Sequence, residues 1–338
     1  MRFSWMVTAV LLATLVATMG SASRAGAALQ KPAYTAGDRW VYDLRGSLDA
    51  LPGTNASEVG TFSFGLAGRT EVAILGADQV LVDGVSTSVI RVETRASGFL
   101  NGTFSAPGIP GTGTVSGTFS SLTTELWETQ AYLPVVSDGT TSYSATVSFI
   151  VTIDFSTTVR LNATTAYASL PSFELGVGQS ATTEFTTDIR VNTTSTFSGE
   201  TFTSENTTSV TASWTREVVR ETTVTVDAGA FAVTEVNQTL TAFPGLAGLV
   251  PAEGANETAY HSNAAGNYVK REAYANGTEV AEMTLRSYSY RSGASGLSIL
   301  DLSLLIVVPI VALLAVLVWV RRRKKKPSGP PRGDAGAR

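Results

Sequence analysis

The chain of 338 residues contains no cysteine. That excludes disulfides, Cys-ligated zinc, iron–sulfur clusters, thiol catalysis and a lipid-modified N-terminal cysteine. It contains a single histidine, His261, so imidazole metal sites and acid–base pairs have almost no material to be built from. Charged residues are scarce at 15%, with a formal net charge of −4. No calcium loop of the form D-x-[DN]-x-[DN]-G and no G-x-S-x-G nucleophile elbow occurs. What is abundant is hydroxyl: 46 Thr and 34 Ser.

The two ends set an expected topology. Met1 and Arg2 precede an apolar run over residues 6–19, followed by small residues to position 28. This is the layout of a secretory signal, 1–27, with cleavage after Ala27 preferred over Ser23. Near the other end, residues 302–320 carry no charge. At about 1.5 Å per residue they reach roughly 28 Å, enough to cross a bilayer as a helix. Arg321, Arg322, Arg323, Lys324, Lys325 and Lys326 follow at once as a stop-transfer flank. The positive-inside rule places the tail 321–338 in the cytoplasm and the residues before 302 outside, a single-pass membrane protein. The tail is rich in Pro and Gly and reads as disordered, its basic cluster held against anionic lipid. In 28–301, fourteen cations face twenty-seven acids, a net of −13, which argues against nucleic acid as a partner.

Of ten Asn, eight stand in N-x-S/T: Asn55, Asn101, Asn162, Asn192, Asn206, Asn237, Asn256 and Asn276. Hydroxyl content alone would place two or three there. The excess reads as retention of Asn for N-glycans, which must sit on the surface.

Between the ends the apolar residues alternate instead of following a helical period. Val147, Phe149, Val151, Ile153 and Phe155 share one face. Val210, Ala212, Trp214 and Val218 do the same, as do Phe185, Ile189 and Val191. This is the pattern of half-buried antiparallel strands. Turn signals stand at Asn101-Gly102, Asp138-Gly139, Ser198-Gly199, Pro244-Gly245 and Asn276-Gly277. Their spacing implies long strands in a curved, half-barrel-like sheet. The pattern predicts an internal duplication: Gly37-Asp38-Arg39-Trp40 and Gly176-Val177-Gly178-Gln179 each open a unit. A strand–Gly–strand element follows each, at Val82-Asp83-Gly84 and at Val226-Asp227-Ala228-Gly229. The expected organisation is β unit 1 over 28–165, β unit 2 over 166–291 and a linker over 292–301. The stretch 101–119, with its G-T-G-T-V-S-G, lacks a P-loop lysine and reads as a flexible hairpin tip inserted in unit 1.

The segments Y-T-A-G-D-R-W-V-Y (34–42), V-T-V-D-A-G-A-F (224–231) and A-Y-H-S-N-A-A-G-N-Y-V-K-R-E (259–272) resemble motifs of predicted archaeal cell-surface proteins. Units of that kind look like the open, strongly curved sheets of periplasmic lipoprotein carriers. The resemblance implies fold roles for Trp40, Gly229 and Phe231 and supplies no catalytic residue.

Together these readings predict an N-glycosylated cell-surface protein whose ectodomain is structural or binds a partner, without catalytic residues or cofactor. The alternative is a carrier or sensor holding a lipid or isoprenoid in its concave face, for which Trp40, Trp127 and Trp214 would be groove aromatics. A third reading, an extracellular hydrolase, would have to be built around His261, which is expected to be a surface or hairpin histidine. Envelope proteins are the natural partners, and clustered acids such as Glu125 with Glu128 offer a weak cation site.

Overall fold

The computed structural model describes residues 29–48, 61–82, 84–105, 111–148, 152–197, 199–242, 255–275 and 277–290. The expected leader, membrane segment and basic tail lie outside them, as do Asn55, Asn276 and Pro244-Gly245.

Twelve strands follow one another: β1 (Arg39–Leu48), β2 (Thr61–Val82), β3 (Val85–Ser105), β4 (Gly113–Glu128), β5 (Pro134–Ser148), β6 (Thr152–Tyr167), β7 (Ser180–Phe197), β8 (Glu200–Val226), β9 (Gly229–Ala242), β10 (Ala255–Ser262), β11 (Asn267–Ala275) and β12 (Thr278–Ser289). Each pairs antiparallel with its neighbours in sequence, and β12 pairs with β1. The sheet therefore closes into a barrel, where the alternation alone had suggested a half-barrel. The two expected units contribute consecutive strands of this one sheet, joined by β6 and β7.

Alternation decides the inside. On β6, Phe155, Val159 and Ala163 are buried while Ser156, Arg160 and Asn162 are exposed. On β8, Val210, Ala212 and Val218 are buried and Thr211 is exposed. β-branched residues on a pleated, half-buried surface suit both faces. One end of the barrel is closed from within. Leu29 bridges to Leu175, and Tyr34 packs edge-on against Trp40 and Tyr132. Tyr132 stands at φ 56°, unusual for a side chain with a Cβ. Glu128 fixes that turn by accepting from the N–H groups of Gln130, Ala131 and Leu133.

The same backbone pattern occurs twice. Gly37 N–H donates to Ile74 O and Ile74 N–H donates to Asp38 O, both at 2.9 Å. Likewise Gly178 N–H donates to Val218 O at 2.8 Å and Val218 N–H donates to Gln179 O at 3.0 Å. Beyond Ile74 and beyond Val218 the first strand bulges, and seven residue pairs then lead to a two-residue turn at 83–84 or 227–228. A further matched bulge offsets Trp127 against Pro134 and His261 against Tyr268.

Several turn signals prove to be packing signals. Asn101-Gly102 lies within β3 and Asp138-Gly139 within β5. A Cβ on Gly102 would stand 2.3 Å from the Phe64 ring, and one on Gly139 would stand 3.0 Å from Thr123 Oγ1. Glycine is there because the neighbour occupies the space. The run 147–155 is not one strand: Val147 pairs with Ile153 across the β5–β6 hairpin, and both keep the same face. The stretch 101–119 does form a hairpin, but its arms are regular strands, with Asn101 opposite Ser116. Gly199 and Gly277 sit at strand connections, at φ 84° and φ 75°, while Ser198 and Asn276 lie outside the described residues.

Gly68 and Gly98 face each other on β2 and β3 beneath the Phe119 ring, where a Cβ on Gly98 would lie 2.7 Å from that ring and 2.2 Å from Ala67 O. Gly98→Ala is expected to cost at least the roughly 1–3 kcal/mol of core overpacking. Chemical denaturation measures it. A loss below about 0.5 kcal/mol would mean that the strands are free to separate at this point.

Candidate functional site

The inner face of β8–β11 carries charge where a barrel interior ordinarily carries none. Arg216, Gln238, Glu257, His261 and Arg271 are all buried there. Arg271 forms a two-pronged ion pair with Glu257, Nη2 to Oε2 at 2.7 Å and Nε to Oε1, with side-chain exposures of 1% and 3%. Its guanidinium also lies over the Tyr268 ring, 5.6 Å from the centroid. Arg216 has no carboxylate partner among the described residues. It donates from Nη2 to Ser172 O at 2.9 Å and is sandwiched by Phe173 at 5.1 Å and Trp214 at 4.7 Å. Its Nε is buried without a hydrogen-bond partner among the described residues. Burial pushes the Arg216 guanidinium below its ordinary pKa.

His261 is not on the surface. It ends β10 with 1% exposure, its ring 5.5 Å from Tyr268 and 6.3 Å from Phe173. Burial, helped by the Arg216 charge, pushes its pKa down to about 3, so it is neutral at physiological pH. Its polar sequence context suggested exposure, whereas it continues the inward alternation of Glu257 and Ala259 along β10.

The candidate groove aromatics take two different positions. Trp40 and Trp127 are core residues, 0% and 1% exposed. Trp40 Nε1–H donates to Ala265 O at 2.7 Å, and Trp127 Nε1–H donates to Glu125 Oε2 at 2.6 Å. Trp214 is half-buried beneath Arg216. Glu125 also accepts from Ser137 Oγ at 3.1 Å, and Glu128 serves the turn amides, so these two acids already hold neighbouring donors. Among the described residues no group of three or more His, Asp and Glu is placed to hold a metal.

Beyond its bulge the β8–β9 hairpin bends back over the outer faces of β1 and β10–β12, and Ala228 N–H donates to Leu285 O at 3.2 Å. A cleft of about 480 Å³ lies between, with Arg45, Arg220 and Lys270 opposed by Asp43, Asp227 and Glu282. Arg220 is paired with Glu235 at 2.8 Å and Lys270 with Glu272 at 2.5 Å, so the cleft offers little surplus charge to a ligand. The pairings that make it were not readable in the sequence, because the bend depends on one extra residue in β8.

Six sequons are described, all inside strands. Asn101, Asn162, Asn206, Asn237 and Asn256 are exposed and Asn192 is half-buried. Two interlock across β9 and β10: Thr239 Oγ1 donates to Asn256 Oδ1 at 3.0 Å, and Thr258 Oγ1 donates to Asn237 Oδ1 at 3.3 Å.

No protein-family model matches the chain, and no curated protein or solved structure does.

Two measurements test the buried cluster. Glu257→Gln removes the carboxylate that faces the buried Arg271 and is expected to cost about 3–5 kcal/mol; Glu257→Leu combined with Arg271→Met should recover most of it. An equal loss in the single and double variants, by urea denaturation, would mean the pair is not isolated from water. His261 carries the second. Its folded pKa of about 3 lies below the unfolded value near 6.5, so the unfolded chain takes up the proton first. Stability is complete above pH 6.5 and falls as the pH drops towards 3. Between pH 7.5 and pH 5 the loss should be about 2 kcal/mol greater than in His261→Leu. Parallel pH dependence of the two proteins would place His261 in contact with solvent.

Proposed function

We propose that this chain is an N-glycosylated, single-pass cell-surface protein whose ectodomain is a non-catalytic structural or binding barrel. The observation that carries the reading is the placement of the sequons: none of the six described Asn is buried, although four of them, Asn101, Asn162, Asn237 and Asn256, sit next to buried residues on alternating strands. Acceptors on exposed strand faces of a closed barrel fit a protein that meets solvent on its whole outer wall. The uncharged segment 302–320 with its six following cations supplies the anchor, and the leader 1–27 supplies export. Envelope proteins are the partners such a wall would meet.

The barrel arises by duplication, six strands to each half. The repeated Gly37–Ile74 and Gly178–Val218 hydrogen bonds, the matched bulges and the seven-pair hairpins support this. The motif likeness to archaeal surface proteins belongs to the same reading. The carrier alternative, with an apolar ligand in the concave face, is less well supported. The inner face is filled by its own side chains, among them Trp40, Tyr42, Phe119, Trp127 and Tyr143.

The test uses the full chain in a glycosylating host. Glycopeptide mass spectrometry should find occupied sequons, and protease added to intact cells should cut the barrel side and spare the tail 321–338. An unmodified chain with its tail cut first would overturn the reading. A lipid adduct surviving native mass spectrometry from detergent and lost on unfolding would favour the carrier.

A further inference from the structure

The two ends of the barrel differ. At one end lie the turns after β2, β4, β6, β8 and β10, the start of β1 and the end of β12. The chain leaves the barrel there, with Ser289 opposite Arg39. Apart from residue 83, the strand ends that flank the undescribed internal stretches (49–60, 106–110, 149–151, 198, 243–254 and 276) are at the opposite end. Residues 291–301 separate Tyr290 from the uncharged segment 302–320. Those eleven residues reach at most roughly 40 Å when fully extended. The exit end of the barrel is therefore tethered close to any bilayer that 302–320 crosses.

Large apolar side chains are exposed at this end: Leu75, Leu81, Val177 and Tyr288. Leu81 is the most exposed of them, at 72%. It stands near the tip of the β2–β3 hairpin. The last pair of that hairpin with β4 is Val89 with Glu128, and with β1 it is Ala73 with Arg39. Four pairs, from Gln79–Ser88 to Val82–Val85, run on beyond both neighbours. At about 3.3 Å per residue this is a projection of roughly 13 Å. The matching β8–β9 hairpin is seated against β11 and β12, with Ala228 N–H donating to Leu285 O. Among the described residues the β2–β3 hairpin has no comparable seat on β5 or β6. Counted from the bulges, Leu81 corresponds to Thr225. The seated hairpin thus carries a threonine where the projecting one carries an exposed leucine. Val177 lies in the β6–β7 connection, across the ring of strands from the chain exit. Charge adds little attraction to anionic lipid here. Arg39 and Arg91 are paired with Glu71 and Asp78, and Glu174 and Asp227 are exposed acids.

We propose that the exit end of the barrel is a lipid-docking surface: Leu81 and Val177 enter the headgroup–acyl boundary of the same bilayer that the segment 302–320 crosses. Two apolar side chains bind lipid weakly by themselves. Tethering makes the contact intramolecular, so a weak affinity suffices to hold it. With the chain exit as a third support, the barrel would rest on the membrane by this end.

This proposal rests on the single-pass reading above, and the experiment separates the two. The chain has no cysteine, so a single one can be introduced for labelling. Ser86 is exposed and pairs with Leu81 across the hairpin; Thr201 is exposed at the start of β8, at the opposite end. Full-length Ser86→Cys and Thr201→Cys, each carrying a fluorophore, are reconstituted into phosphatidylcholine vesicles with and without lipid bearing a nitroxide on its acyl chain. An alkaline wash reports separately whether the chain is anchored. The nitroxide is expected to quench the label at position 86 at least about twofold more than the label at 201, at low salt and at about 1 M salt alike. Adding Leu81→Gln and Val177→Gln should bring quenching at 86 down to the level at 201. Equal quenching at the two positions in a chain that survives the wash overturns the docking surface and leaves the anchor standing. Quenching at 86 that the two glutamines leave intact, or that salt abolishes, overturns the apolar contact. A chain that the wash strips from the vesicles overturns both readings.

Discussion

The structure depends on the pairing of β1 with β12. Ten residues, Arg39–Leu48, lie between β12 and β2, and without them the sheet would have two open ends and no interior. Nothing covalent holds this seam, since the chain has no cysteine. It is held by the ladder and by side chains of β1 that reach past β12 to β11 and the turn before it. Trp40 and Tyr42 point inward from β1, and each donates to a backbone carbonyl more than two hundred residues away, at Ala265 and Tyr268. Closing the seam brings together segments at opposite ends of the described chain. The loop entropy of that contact is the largest in the fold, so folding should be slow and the closing contacts late.

The two halves use the same backbone grammar and fill it differently. By position relative to the matched bulges, Val72 corresponds to Arg216, Thr94 to Gln238, Trp127 to His261 and Ser137 to Arg271. The first half has uncharged side chains at these four places, with the buried Glu125 accepting from Trp127 and Ser137. The second holds a buried ion pair, a neutral histidine and an arginine that, among the described residues, meets aromatic faces and one carbonyl. Buried charge of this kind is weak evidence for stability, because well-packed apolar residues of similar volume commonly do as well or better. The asymmetry therefore marks the second half as the place where this barrel departs from the most stable filling available to it. Departures of that kind concentrate at sites that specify or recognise something.

Much of this was legible in the sequence and some was not, for identifiable reasons. Alternation at Val210, Ala212 and Val218 reported burial correctly because period two is a local property. The hairpins at Asp83-Gly84 and Asp227-Ala228 were legible for the same reason. Closure was not, since no local pattern says which strand ends meet. Gly102 and Gly139 were misread as turns because glycine answers two different demands. One is a positive φ, as at Gly199; the other is a neighbour in the place of a Cβ, as Phe64 is for Gly102. His261 continues the inward alternation of Glu257 and Ala259 along β10, which its polar neighbours Ser262 and Asn263 hid in the sequence.

The sequons show how strand geometry constrains modification. In N-x-T the acceptor and its hydroxyl are two residues apart, the same period as a strand, so both side chains emerge on one face. On neighbouring antiparallel strands two such pairs can then fit together, as Asn237 and Thr239 do with Asn256 and Thr258. In that arrangement each acceptor amide is hydrogen-bonded by the other sequon's threonine, and both backbones are committed to the ladder. A glycosylating enzyme needs the acceptor segment free enough to bend into its own site. On the glycoprotein reading, these strands must be modified before β9 and β10 pair, and with late closure of the β1–β12 seam there is time for it. On that reading topology sets the order of events: sugars first on separate strands, then ladders, then the seam.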